Sequence, residues 1–157
     1  MTAIRFIAIP TGDAEHLRGG GADANGQIPE RRLSDGNGVP CRHCLKPVDE
    51  GDPYLVLAYR PFGNLQPYAE LGPIFIHADD CPRHTETRPA PPPALASAQY
   101  LVRGYNADER IIYGTGQIVA TDDLTLTATA ILERDDISYL HVRSASNNCY
   151  QCRIERA

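Results

Sequence analysis

The rhythm of apolar positions changes several times along the chain, and each change marks an element. Residues 3–9 (AIRFIAI) are dense enough in apolar side chains for a first strand, closed by the turn residues Thr11, Gly12 and Asp13. Residues 54–60 (YLVLAYR) alternate and are rich in strand formers, after the turn signal Glu50-Gly51-Asp52-Pro53. PIFIHA at 73–78 follows a loop with Gly63, Pro67 and Gly72, so these two runs predict a hairpin with a long connection. QYLVRGYN (99–106) and RIIYGTGQIV (110–119), joined by Ala107-Asp108-Glu109, predict a second hairpin. SYLHVRSA (138–145) and CYQCRIER (149–156) predict a third about Asn147-Asn148.

One segment changes to helical spacing. Thr121 or Asp122 can cap a helix running to about Glu133, with Leu124, Ala128, Ile131 and Leu132 as its buried stripe. Thr125, Thr127 and Thr129 weaken that helix intrinsically, so packing must hold it. The expected fold is α+β: a mostly antiparallel sheet with one main helix and long Gly/Pro-rich loops.

Two stretches carry no periodicity. Residues 18–40 contain six glycines and almost no apolar side chain, which predicts a long surface loop. Residues 82–95 (PRHTETRPAPPPAL) are proline-rich and extended. Neither half of the chain has strands enough for its own core, so residues 1–157 read as a single domain containing both loops. At 157 residues, such a domain buries roughly 70% of its unfolded surface without needing a staple.

Charge narrows the function classes. The net charge is −5 and the pI about 5.5, and Arg31-Arg32 is an isolated basic pair. The field that phosphate contact demands is missing, which argues against nucleic acid as a partner. No apolar run approaches the ~18 residues of a membrane span. The N-terminal apolar patch, broken by Arg5 and ended by Pro10, is too short for a signal peptide. A cytoplasmic setting is therefore expected, where thiols stay reduced. Five cysteines there read as metal ligands, reactive thiols or core residues.

Cys41-x2-Cys44, between Gly38-Val39-Pro40 and Lys46-Pro47, is the strongest chemical signal. Zinc takes four tetrahedral ligands, usually as two close pairs of Cys and His. The pair departs from common zinc knuckles in having Leu45, where glycine usually follows the second cysteine. Two second pairs compete: His77 with Cys81, and Cys149 with Cys152. In an extended CYQCRIER, Cys149 and Cys152 point to opposite faces ~10 Å apart, and Cys152 fits a core face with Tyr150 and Ile154. His77 and Cys81 straddle a strand end, where a turn through Asp79-Asp80 can unite them. Their order after the first pair is similar to that of treble-clef zinc modules. Cys41, Cys44, His77 and Cys81 are therefore the expected ligands of one structural zinc, with Cys149 as the replacement. The opposing reading is that the cysteines are small buried hydrophobes.

Other chemistry is weaker. A redox pair needs a helix start after the cysteines, and Pro47 blocks one. His43, His77, His84 and His141 could serve as a base and Cys41 as a nucleophile. His141, alternating with Tyr139 and Arg143, reads as an ordinary surface or rim position. Tyr54, Tyr59, Phe62 and Tyr68 could line an aromatic cleft with Arg60, although strand tyrosines more often pack half-buried. There is no nucleophile elbow, P-loop or dinucleotide fingerprint. An enzyme is not the leading reading.

The runs DANGQIPERRLSDGNGVPCRHC, LVLAYRPF, PYAELGPIFIHADDC, YLVRGYN and YLHVRSASNNCYQCRIERA resemble the bacterial domain-of-unknown-function family 1203, in the family's order. The resemblance implies a small protein without an established activity, and it brings no catalytic residues. The sequence thus points to a small soluble domain of unknown biochemical role holding one zinc. The alternatives are a thiol- or His-dependent enzyme using Cys41, Cys44 and His43, and a ligand- or partner-binding domain using the two long loops.

Overall fold

The computed structural model describes residues 2–85 and 87–157, so Glu86 of the proline-rich stretch lies outside the described residues. Among the described residues, eight strands form two antiparallel sheets. The larger has the order β1 (Ile4–Ile7), β8 (Tyr150–Arg156), β7 (Tyr139–Ser144), β5 (Gln99–Tyr105), β6 (Gln117–Ala120). The smaller has the order β2 (Glu30–Leu33), β3 (Pro53–Tyr59), β4 (Gly72–His77). Mostly antiparallel α+β is the fold that the periodicity predicted. No helix among the described residues is long and apolar enough to cross a membrane.

Each sheet buries one alternating face. In the larger, Val102, Leu140, Val142, Cys152 and Ile154 pack with Ile4 and Phe6 against α2 (Leu124–Ile131). In the smaller, Leu55 and Leu57 oppose Ile76 and Ile74 across the β3–β4 ladder. They pack with Ala14 and Leu17 of α1 (Thr11–Arg18) and with Val39, Cys41, Cys44 and Val48.

Several expectations are corrected. Thr11 to Asp13 open a helix, not a turn; only Ala14 and Leu17 of α1 are buried, too few to register as a stripe. The 18–40 loop contains β2, exposed at all four positions and held by pairing Glu30–Leu33 with Val56–Pro53. Its charged side chains blunt a sheet edge, so it lacks the apolar alternation that marks half-buried strands. The Asp23 carboxylate pins the loop by accepting from the Ala58 backbone N–H at 2.9 Å. The strand expected over 110–119 is shortened to β6. Before it, Thr115 Oγ1 replaces the ladder, accepting from Gly104 N at 2.8 Å and donating to Ile112 O at 2.6 Å. No side chain caps α2, which follows a 3₁₀ turn at Thr121–Asp123; Thr121 instead donates to Ser97 O. Its stripe is as expected except that Ile131 is only partly buried. The proline-rich loop ends in the core, where Ala94 and Leu95 are buried.

A bulge re-aims β8. Val142 pairs with Cys152 but Arg143 with Tyr150, so Gln151 is an extra residue and the alternation breaks there. Cys152 and Ile154 face the α2 core as expected, whereas Tyr150 turns to the other face and packs against His141.

His141 is not a rim residue: it is fully buried. Burial first, then the charges of Arg143, Arg153 and Arg103, hold its imidazole well below the ordinary value. In the unfolded chain it titrates near pH ~6.5, so below that the unfolded state binds more protons and stability falls. The expected contribution is a loss of up to about 1.4 kcal/mol per pH unit. His141→Gln should remove that component, seen as a shallower fall of the urea midpoint between about pH 7.5 and 5. Equal slopes in both proteins would contradict it.

Candidate metal centre

The Cys41–Cys44 loop forms a knuckle closed by a bridge between Pro40 and Pro47, with Cys41 N donating to Lys46 O and Leu45 N to Cys41 O, both at 3.0 Å. Leu45 takes the left-handed conformation (φ 54°) that glycine usually supplies. Its side chain is 1% exposed in the α2 core, which gives the strained residue a compensating burial. The left-handed cost is ~1–2 kcal/mol, whereas deleting a buried Leu side chain costs about 2–5. Leu45→Gly is therefore expected to destabilise the fold by roughly 1–3 kcal/mol in urea unfolding, despite relieving the backbone. A stabilised variant would refute this balance.

The knuckle is also where the two sheets are tied together. Arg42 N donates to Phe75 O of β4 (3.0 Å), Ile9 N to Arg42 O (3.1 Å), His84 N to His43 O (2.9 Å) and Ala94 N to Leu45 O (2.9 Å). The Arg42 guanidinium, buried, donates to Tyr150 O of β8 and to Pro40 O, both at 2.8 Å, and lies over the Phe75 ring.

At this junction β4 ends on His77 and the chain turns back to Cys81. The ligand atoms of Cys41, Cys44, His77 and Cys81 all lie within 4.8 Å of one another, close enough to bind a metal. Two of these distances match the edges of a tetrahedral site. Bonds of about 2.3 Å to sulfur and about 2.0–2.1 Å to nitrogen imply S···S edges of ~3.8 Å and S···N edges of ~3.6 Å. Cys41 Sγ to Cys81 Sγ is 3.9 Å, and Cys44 Sγ to His77 Nδ1 is 3.4 Å.

Among themselves these groups share protons unevenly. Contacts from Cys44 and Cys81 hold the Cys41 thiol far below its ordinary value, while the same contact with Cys41 pushes Cys44 far above it. The sulfurs of Cys41 and Cys81 push His77 up to about 10, and its Nδ1 also lies 3.4 Å from Cys44 Sγ. Cys41 Sγ, the sulfur held lowest, also accepts the His77 backbone N–H at 3.2 Å. A divalent cation serves such a cluster better than protons do, because it neutralises several thiolates at once.

Three residues surround the cluster, and two of them, Arg18 and Thr11, escaped the sequence reading. Arg18, its side chain 9% exposed, donates to Cys81 Sγ at 3.0 Å and to His77 O at 2.9 Å. His43 Nδ1 lies 3.2 Å from Cys81 Sγ, and Thr11 Oγ1 lies 2.9 Å from His43 Nε2. If Nδ1 donates to the sulfur, Nε2 is free to accept from the Thr11 hydroxyl. Burial first, then Arg18, holds His43 below its ordinary value, which keeps it neutral. Only His43 carried a signal, its place inside the pair; Arg18 and Thr11 reach the site through α1, which the periodicity missed.

The other candidates lie elsewhere. Cys149 is outside the cluster, at the end of the Asn147-Asn148 turn, and Cys152 is buried in the α2 core. His141 belongs to the far face of the larger sheet. Tyr59, Arg60 and Phe62 do line one cleft of about 470 Å³, but Tyr54 packs edge-on to Phe75 and Tyr68 pairs with Tyr113.

Residues 38–156 match the family described as Protein of unknown function (DUF1203). The chain belongs to that family. The DUF1203 match begins at Gly38, immediately before the knuckle, and takes in all four clustered residues. No curated protein and no solved structure matches the chain significantly.

Proposed function

We propose that this DUF1203 protein binds one zinc ion as a structural cross-link, through the sulfurs of Cys41, Cys44 and Cys81 and Nδ1 of His77. The observation that carries the reading is that all four ligand atoms lie within 4.8 Å of one another, with one intersulfur distance (3.9 Å) and one sulfur–nitrogen distance (3.4 Å) close to the edges of a zinc tetrahedron. Three thiolates and a neutral imidazole would leave the zinc site with one negative charge, which the Arg18 guanidinium offsets. Four protein ligands complete the coordination, the arrangement of structural rather than catalytic zinc. A reducing compartment such as the cytoplasm suits it, since the thiols must stay free. Cobalt substitution tests the ligand set: the intense visible bands of tetrahedral thiolate-bound Co²⁺ are expected, and a weak six-coordinate spectrum would overturn it.

One observation favours a second reading. His43 faces Cys81, not Cys41 or Cys44, so a thiol–imidazole pair exists in which Cys81 could act as a nucleophile. The two readings predict opposite alkylation. In the zinc reading Cys81 is protected in protein as purified and reacts after chelation; in the enzyme reading it reacts rapidly at once.

A further inference from the structure

The face of the larger sheet turned away from α2 is polar, yet it is buried. Strand register sets Arg103, His141 and Arg153 side by side across β5, β7 and β8. Tyr105 pairs with Tyr139 on one side of this row, and Arg143 lies on the other. The segment 60–71 covers them. Its Phe62 ring lies 5.1 Å from that of His141, and its Glu70 carboxylate ion-pairs with Arg103 and, at 3.1 Å, with Arg143.

The layer has more donors than acceptors. Arg143 donates to His141 Nδ1 at 3.2 Å, so the proton of the neutral imidazole sits on Nε2. That Nε2 has no partner among the described residues, nor have Arg143 Nε and the Tyr139 hydroxyl. Arg153 Nε lies 2.6 Å from Glu155 Oε1 as an ion pair, but out of line for a hydrogen bond. His141 is 0%, Tyr139 2% and Arg143 4% exposed, so water at the surface does not serve them. Natural interiors rarely leave buried donors unmatched. Tyr139 and Arg153 also line an open cleft of about 830 Å³ bounded by Asn64, Gln66 and Glu109.

We propose that this layer binds a small organic anion. Its charged group takes Glu70's place on Arg103 and Arg143, and a second acceptor on the same ligand meets Nε2 of His141. Segment 60–71 is the flap that Glu70 latches. Besides Glu70, the flap is held by Gly63 N donating to the Glu109 carboxylate at 2.9 Å, by Gln66 Nε2 donating to Glu109 O at 3.0 Å and by Tyr113 bonded to Tyr68. Glu70 is half-exposed, and Leu65 at the tip is 78% exposed. Glu70 competes from within the chain at high effective concentration, so it weakens the apparent affinity for any external anion.

The test follows the His141 ring resonances by NMR in the full-length protein, titrated with malate in one arm and inorganic phosphate in the other, against chloride at matched ionic strength. A saturable shift in the wild type at up to ~50 mM, tightened about tenfold or more in Glu70→Gln, is expected, and the arm that responds names carboxylate or phosphate. Should Glu70→Gln fail to fold, the wild-type titration decides alone. No saturable shift in either arm would overturn the proposal. So would an affinity unchanged by Glu70→Gln, with the imidazole donor then satisfied by the Tyr150 ring that it meets edge-on at 4.8 Å.

Discussion

Cys44→Ser is expected to lower the melting temperature by about 10–20 °C, the largest effect of any single substitution in this account. Zinc contributes roughly 10–16 kcal/mol of apparent binding energy to peptides that cannot fold without it. This chain has two apolar clusters of its own, so only part of that is at stake. A loss of ~4–5 kcal/mol corresponds to the stated shift for a domain of this size. Cys44 and His77 sit on different segments, and removing one ligand breaks one of the ties between the knuckle and β4. A strong chelator should reproduce the shift in the wild type and add little in Cys44→Ser, because both remove the same interaction. Cys149→Ser, outside the cluster, is the control and should change stability by less than about 0.5 kcal/mol. A chelator effect equal in wild type and Cys44→Ser would show that the metal lies elsewhere.

Arg42→Ala should cost about 3–5 kcal/mol, read as a lower urea midpoint at unchanged slope. The guanidinium is buried and ties the knuckle to β8 through Tyr150 O and to its own entry through Pro40 O. Burial lowers its pKa to about 10, so it stays charged at neutral pH. Alanine strands two carbonyls without donors, opens a cavity and removes the cation from the Phe75 ring. Lysine keeps the charge but not the planar fork that serves both carbonyls, so Arg42→Lys should recover less than half of the loss. Full rescue by lysine would mean that charge alone matters. Since Arg42 is not a ligand, its variant should still bind zinc, separating the tie between sheets from the metal.

Those parts of the fold that alternate on a half-buried face were legible from sequence. Leu55, Leu57, Ile74 and Ile76 announced β3 and β4, and Asp79-Asp80 announced the turn that brings Cys81 back towards His77. CYQC ranks second on its strand context, with Cys149 kept as the replacement, and Cys152 does lie in the core. What stayed hidden lacked that signature. β2 is polar throughout and is made by its partner; α1 buries only two residues; and the bulge that turns Tyr150 is a mismatch between two strands, invisible in either alone. Tyr139, His141 and Arg143 read as a solvent face because periodicity records polarity, not cover. Segment 60–71 supplies the cover from far along the chain, Phe62 reaching His141 and Glu70 reaching Arg143, with no pattern of its own. The hydrogen bonds to Cys81 likewise come from Arg18 and His43, residues that only the folded chain brings to it.

The central claim is a zinc ion on Cys41, Cys44, His77 and Cys81. Its most direct test is elemental analysis of protein purified without a metal-affinity tag, paired with thiol titration of the native state. The account predicts close to one equivalent of zinc, with Cys41, Cys44 and Cys81 unreactive until a chelator is added. Less than ~0.2 equivalents of zinc, with all five thiols titrating freely, would contradict it.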